Sequence, residues 1–121
     1  MRQTLDFAKS LNTEFANFFS AMAYPGSQPY RDALARGWPL PAKWSGYSQH
    51  SNDCLPLPTK HLSGPDVLRF RDAAFREYFD RPEYLTLVER TFGQDTVAEV
   101  RRMVAQPLAR AHGATPELVK A

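Results

Sequence analysis

The sequence predicts an α/β fragment that is mostly helical and organised around one principal strand. Three observations predict it. First, residues 15–24 carry apolar side chains on both alternating sets, with Phe15, Phe19, Ala21 and Ala23 on one and Ala16, Phe18, Met22 and Tyr24 on the other. A strand apolar on both faces is the pattern of a strand inside a parallel sheet, covered above and below. Second, Pro25-Gly26-Ser27 turns the chain into residues 28–36, where Ser27 is placed to cap a helix, Pro29 fits its first turn and Gly37 ends it. Third, no other stretch matches 15–24 in length and hydrophobicity, although the backbone of a buried strand needs ladder partners on both sides. The expectation is a piece of a larger sheet protein, its remaining elements helical.

Each further element follows from its own spacing. Residues 2–11 place Leu5, Ala8 and Leu11 at helical intervals, with Asn12 as terminator. This helix begins almost at Met1 without a capping segment, as a chain cut or restarted within a helix would. From Trp38 to Leu62 the prolines 39, 41, 56 and 58, interspersed with Gly46, Ser45, Ser48, Ser51 and Asn52, deny a regular helix and predict a long irregular loop. Ser63-Gly64-Pro65-Asp66 is a helix start, with Ser63 as N-cap and an acid in the first turn. Behind it Leu68, Phe75 and Phe79, beside Val67, Phe70, Ala74 and Tyr78, form a wide apolar stripe to about Asp80. Arg81-Pro82 restarts the chain into a helix carrying Leu85, Val88 and Phe92 and ended by Gly93. Asp95 or Thr96 then caps a third, with Val97, Val100, Val104 and Leu108 at helical spacing and Pro107 kinking or ending it. The predicted organisation is 1–37, helix-strand-helix; 38–62, loop; 63–110, helical extension; and 111–121, a flexible tail.

Composition narrows the function classes. Fifteen basic and thirteen acidic residues give a net charge of +2, too little for nucleic acid or an anionic membrane surface, and no basic stripe compensates. No run approaches the roughly 20 apolar residues of a membrane span. Polar residues break every short apolar run of MRQTLDFAKSLN, so it does not read as a secretory signal. The single Cys54 forms no internal disulfide and fits a reducing compartment, so the expected location is cytoplasmic.

The side chains with chemical potential lie mostly in the loop. His50, Cys54 and His61 suggest zinc, but a structural site takes four ligands, commonly in paired spacing, and a partly buried thiol in a polar loop explains Cys54 more simply. A Cys54 nucleophile with His50 or His61 as base lacks a marked third member. The Pro25-Gly26-Ser27 turn offers backbone N–H groups at a helix start, but without the glycines of a phosphate loop; plain turn chemistry is the alternative. Asp66, Arg69, Arg71, Asp72, Arg76, Glu77 and Asp80 read as a solvated helix face with local ion pairs, and Arg101-Arg102 likewise.

The run TLDFAKSLNTEFANFFSAMAYPGSQPY resembles the late part of the radical S-adenosylmethionine barrel, in the class whose members often carry a cobalamin-binding domain. The match rests on the leading helix and on Tyr24-Pro25-Gly26-Ser27 with Tyr30; Pro29 stands where leucine is more usual. The continuation resembles the C-terminal extension of the same enzymes through Trp44, Tyr47, Leu57-Pro58-Thr59, Phe70-Arg71-Asp72, Phe75, Tyr78 and Phe79. The resemblance covers residues 2 to about 110.

The resemblance implies the end of a partial (β/α)6 barrel plus a C-terminal helical cap, with the neighbours of the strand lying upstream of Met1. It implies that Tyr24, Pro25, Gly26 and Ser27 lie near S-adenosylmethionine in the intact enzyme. The 38–62 loop would cover the barrel mouth, with Trp44, Tyr47, His50 and Cys54 as substrate-cavity candidates. The family's chemistry needs three cysteines spaced Cys-x-x-x-Cys-x-x-Cys to hold a four-iron four-sulfur cluster, and one cysteine does not suffice. The cobalamin-binding Asp-x-His-x-x-Gly pattern is also missing; His112-Gly113 does not match it. The expected chain is therefore not catalytic alone, has no metal or cofactor of its own, and pairs with the missing part of the barrel or with itself through the strand. The competing expectation is a stand-alone helical protein-interaction module.

Overall fold

The computed structural model describes residues 1–112. Five α-helices carry the regular structure: α1 (Arg2–Leu11), α2 (Gln28–Arg36), α3 (Gly64–Phe79), α4 (Pro82–Phe92) and α5 (Gln94–Ala105), with a short 3-10 turn at Trp44–Tyr47. Among the described residues there is no β-strand, and this corrects the α/β expectation. Residues 15–24 do keep a period of two in burial as far as Met22: residues 16, 18, 20 and 22 turn inward while 15, 17, 19 and 21 stay exposed. Only one side is covered, however, and Phe15 and Phe19 remain 67% and 64% exposed. A strand also needs a run of backbone bonds to a neighbour. Here the Leu57 N–H donates to the Ala21 carbonyl at 2.9 Å, while Ser20 pairs with a side chain instead. The apolar period was real, but the ladder that would make it a strand is not formed.

The chain divides into two compact units. Unit 1 comprises Met1–Phe18 and Asp72–Pro107; unit 2 comprises Phe19–Arg71 and, among the described residues, 108–112. Helix α3 contributes its turns up to Arg71 to unit 2 and the rest to unit 1.

The core of unit 1 is aromatic. Tyr78, Phe79 and Tyr84 are buried with Leu5, Ala74, Val88, Val97 and Val100. The Phe79 ring meets those of Phe75, Tyr78 and Tyr84 at 4.8, 5.1 and 5.0 Å between centroids, and Phe18 packs on Tyr78 at 5.5 Å. The two buried phenols need hydrogen-bond partners. Tyr78 donates to the Thr13 carbonyl at 2.8 Å and Tyr84 to the Glu14 carbonyl at 2.9 Å, which anchors the chain leaving α1. Asn12 ends α1 in the left-handed conformation (φ 45°), and Arg81 donates to the Lys9 carbonyl near that end and to Asn12 Oδ1. Helices α4 and α5 pack together and meet at Gly93. Gly93, with φ 88°, ends α4 and stands at the N-cap of α5, a position the sequence assigned to Asp95 or Thr96; a residue with a Cβ is strained there. Pro107 forces Gln106 out of helical geometry (ψ 120°), and α5 ends at Ala105.

Unit 2 has a smaller core, in which Met22, Cys54 and Leu68 are buried together and Tyr47 packs against them. Helix α2 has both of its expected ends. Ser27 Oγ accepts from the Tyr30 N–H, and at the far end Trp38 N–H donates to Ala33 and Gly37 N–H to Leu34, the paired bonds of a Schellman stop. Helix α3 opens on a reciprocal cap, in which Ser63 Oγ accepts from the Asp66 N–H while Asp66 Oδ2 accepts from the Ser63 N–H. A Cβ on Gly64 would lie 2.4 Å from the Pro56 carbonyl oxygen, so this helix start and the end of the loop meet backbone to backbone. The segment read as a tail lies outside the described residues from Gly113 on, and at its beginning the Ala111 N–H donates to the Asn52 carbonyl at 2.8 Å.

Candidate functional site

All the site residues proposed from sequence fall in unit 2. Tyr24-Pro25-Gly26-Ser27 forms a tight turn closed by the Ser27 N–H on the Tyr24 carbonyl at 3.0 Å. Pro25 occupies its second position and Gly26, with φ 87°, its third, the residue choice of a type II turn. The Ser27 N–H and Oγ are therefore engaged within the turn and cap, and the Gly26 carbonyl accepts from Arg31 at 2.9 Å.

The 38–62 loop folds on itself rather than lying open. The Leu55 N–H donates to the Gly46 carbonyl, Ser51 Oγ to the Ser45 carbonyl, and Ser45 Oγ to Asp53 at 2.6 Å. That hydroxyl, followed by Ser51 and the Lys43 charge, holds the Asp53 carboxyl below its ordinary range. The loop brings three aromatic rings into a row, Tyr24 to Tyr47 at 6.1 Å and Tyr47 to Trp44 at 6.0 Å between centroids. Trp44 is 77% exposed, and burial, with the neighbouring Tyr30 phenol, pushes the Tyr47 phenol up. Tyr24, Trp44 and Tyr47 are thus brought together, forming an aromatic surface on which a flat or apolar group can stack.

His50 and Cys54 are placed differently. His50 is exposed, whereas Cys54 is fully buried beside Met22 and Leu68, and burial in apolar surroundings makes a thiol inert. Among the described residues no group of three His, Cys, Asp or Glu side chains is arranged to hold a metal ion. One buried thiol does not fit the four-iron cluster of the resembled family, which needs three accessible thiolates.

Sequence reasoning passed over Gln49. Its side chain is buried and exchanges two hydrogen bonds with the Ser20 backbone, N–H to Oε1 at 2.9 Å and Nε2 to carbonyl at 3.0 Å. Arg110 was passed over as well; it donates to the carbonyls of Gln49 and Ser51 at 2.7 and 2.8 Å. Neither carries a local signal, because their partners lie 29 to 61 residues away in the chain.

Comparison with known protein families, curated proteins and solved structures finds no match to this chain. No helix among the described residues is long and apolar enough to cross a membrane.

Proposed function

We propose that this chain is a non-catalytic helical part of a cobalamin-class radical S-adenosylmethionine enzyme, docked on the catalytic part and capping its active site. The proposal rests on the resemblance of residues 2–110, and one structural observation supports it: each unit leaves large apolar side chains of the 15–24 segment exposed. Phe15 and Phe19, 67% and 64% exposed, are large apolar side chains in a run without proline or charge up to Tyr24. Exposed apolar surface marks an interaction site where it forms a contiguous patch. In this reading S-adenosylmethionine, the four-iron cluster and, in members with that domain, cobalamin are held by the catalytic part of the enzyme, in the cytoplasm. The row Tyr24, Tyr47 and Trp44 faces the substrate cavity, and the chain supplies shape and water exclusion rather than a reacting group.

The test is to mix the chain, under anaerobic reducing conditions, with a catalytic part of this enzyme class lacking its C-terminal extension, and to measure 5′-deoxyadenosine. The reading expects no product and no stoichiometric cluster from the chain alone, and product only from the mixture. A cluster reconstituted on the chain by itself would overturn it.

A second reading is favoured by the helical architecture itself: a stand-alone interaction module that uses the same apolar side chains on a protein partner. An in-frame cluster motif immediately upstream of Met1 in the genome supports the enzyme reading; a stop codon there supports the module.

A further inference from the structure

Unit 2 contains a relay of hydrogen bonds linking distant parts of the sequence. Ser20 exchanges both its backbone N–H and its carbonyl with the Gln49 side chain. A residue in a hydrogen-bonded antiparallel pair makes this exchange with the residue facing it on the next strand. The carboxamide of Gln49 takes the place of that strand, one residue wide. Gln49 is in turn held from behind, since the Arg110 guanidinium forks onto the Gln49 and Ser51 carbonyls while the Ala111 N–H reaches the Asn52 carbonyl. A planar guanidinium fixes two acceptors at once, which an ammonium does not.

We propose that residues 108–112 are a latch. Engaged, they hold the 48–52 turns so that Gln49 occupies the Ser20 edge of the 15–24 segment; released, they let Gln49 leave that edge and expose the Ser20 backbone. The inference is independent of the enzyme reading. Its physical basis is the hazard of an unpaired backbone edge beside apolar side chains, here Phe19 and Ala21, which proteins manage by covering or blocking the edge. The turn cluster's own bonds, such as the Ser51 N–H to the Ser48 carbonyl at 3.4 Å, tie it to itself, whereas those from Arg110 and Ala111 tie it to the end of the described chain.

Residue-resolved amide exchange on the full chain tests the latch. In Arg110→Ala, the Ser20 amide exchanges faster by about tenfold or more, the scale of losing a net hydrogen bond, while Val88 in α4 is unchanged. Arg110→Lys is intermediate. Gln49→Ala frees Ser20 directly, and adding Arg110→Ala to it changes Ser20 no further, because the latch acts through Gln49. Unchanged Ser20 exchange in Arg110→Ala overturns the proposal. So does equal acceleration at Ser20 and Val88, which marks loosening of the whole chain, or additivity of the two substitutions.

Discussion

Glu77 binds two cations at once, Arg2 at 2.9 Å and Lys9 at 2.6 Å, and so fastens α1 within unit 1. The Lys9 hydrogen bond first, then that from Arg2, holds the Glu77 carboxyl below its ordinary value of 4.5. A depressed carboxyl contributes stability that is present above the unfolded value and lost as pH falls through the folded one. The melting temperature of the native chain should therefore exceed that of Glu77→Gln at pH 7. The gap should close as pH falls below about 4.5, and narrow in high salt because the pair is partly exposed. Arg81 is held more tightly, donating to the Tyr78 and Lys9 carbonyls and to Asn12 Oδ1, each at 3.0 Å, while lying over the Tyr78 ring. Arg81→Ala should cost about 2–3 kcal/mol in denaturant unfolding, and lysine should restore little of it. Neither role was legible in the sequence. Glu77 read as part of a solvated face and Arg81 only as a restart before Pro82, because the cations on Glu77 and the Lys9 and Asn12 acceptors of Arg81 lie some 70 residues away. The caps at Ser27 and Ser63 and the stops at Asn12 and Gly37 were legible, since each is written within four residues of its partner.

At the scale of elements, the helices follow from spacing and the 15–24 segment does not. A period of two declares an extended chain, but a ladder depends on a neighbour that no local pattern contains. The sequence also placed apolar residues on both sides of the segment and so implied two covers, where the structure has one. Loop 38–62 carries no α-helix, only the 3-10 turn at Trp44–Tyr47, and its compactness rests on side chains such as Ser45, Gln49 and Ser51 that resemble any polar loop. The meeting of Gly64 with Pro56 makes an element-level prediction. Gly64→Ala pushes a Cβ into a backbone carbonyl rather than into a yielding side chain, and should destabilise the fold by about 1–3 kcal/mol in denaturant unfolding. Gly26 and Gly37 have open space around the missing Cβ, so their substitution acts through positive φ alone.

For the molecule as a whole, exposed apolar side chains are distributed over both units. Unit 1 presents Phe7, Leu11 and Phe15; unit 2 presents Phe19, Tyr24 and Trp44. Burying a phenylalanine is worth about 1.5–3 kcal/mol, so covering several rivals the total stability of a small domain, about 5–15 kcal/mol. Such a chain gains by association, and without its partner it should associate with itself. Replacing Phe19 by serine should lower that tendency with little loss of stability, because its ring is already 64% exposed. Size-exclusion chromatography with thermal melting of the full chain bears most directly on the idea that it works docked on a partner. Oligomers that grow with concentration and shrink in Phe19→Ser are predicted; a monodisperse monomer with a single cooperative melt at every concentration would contradict it.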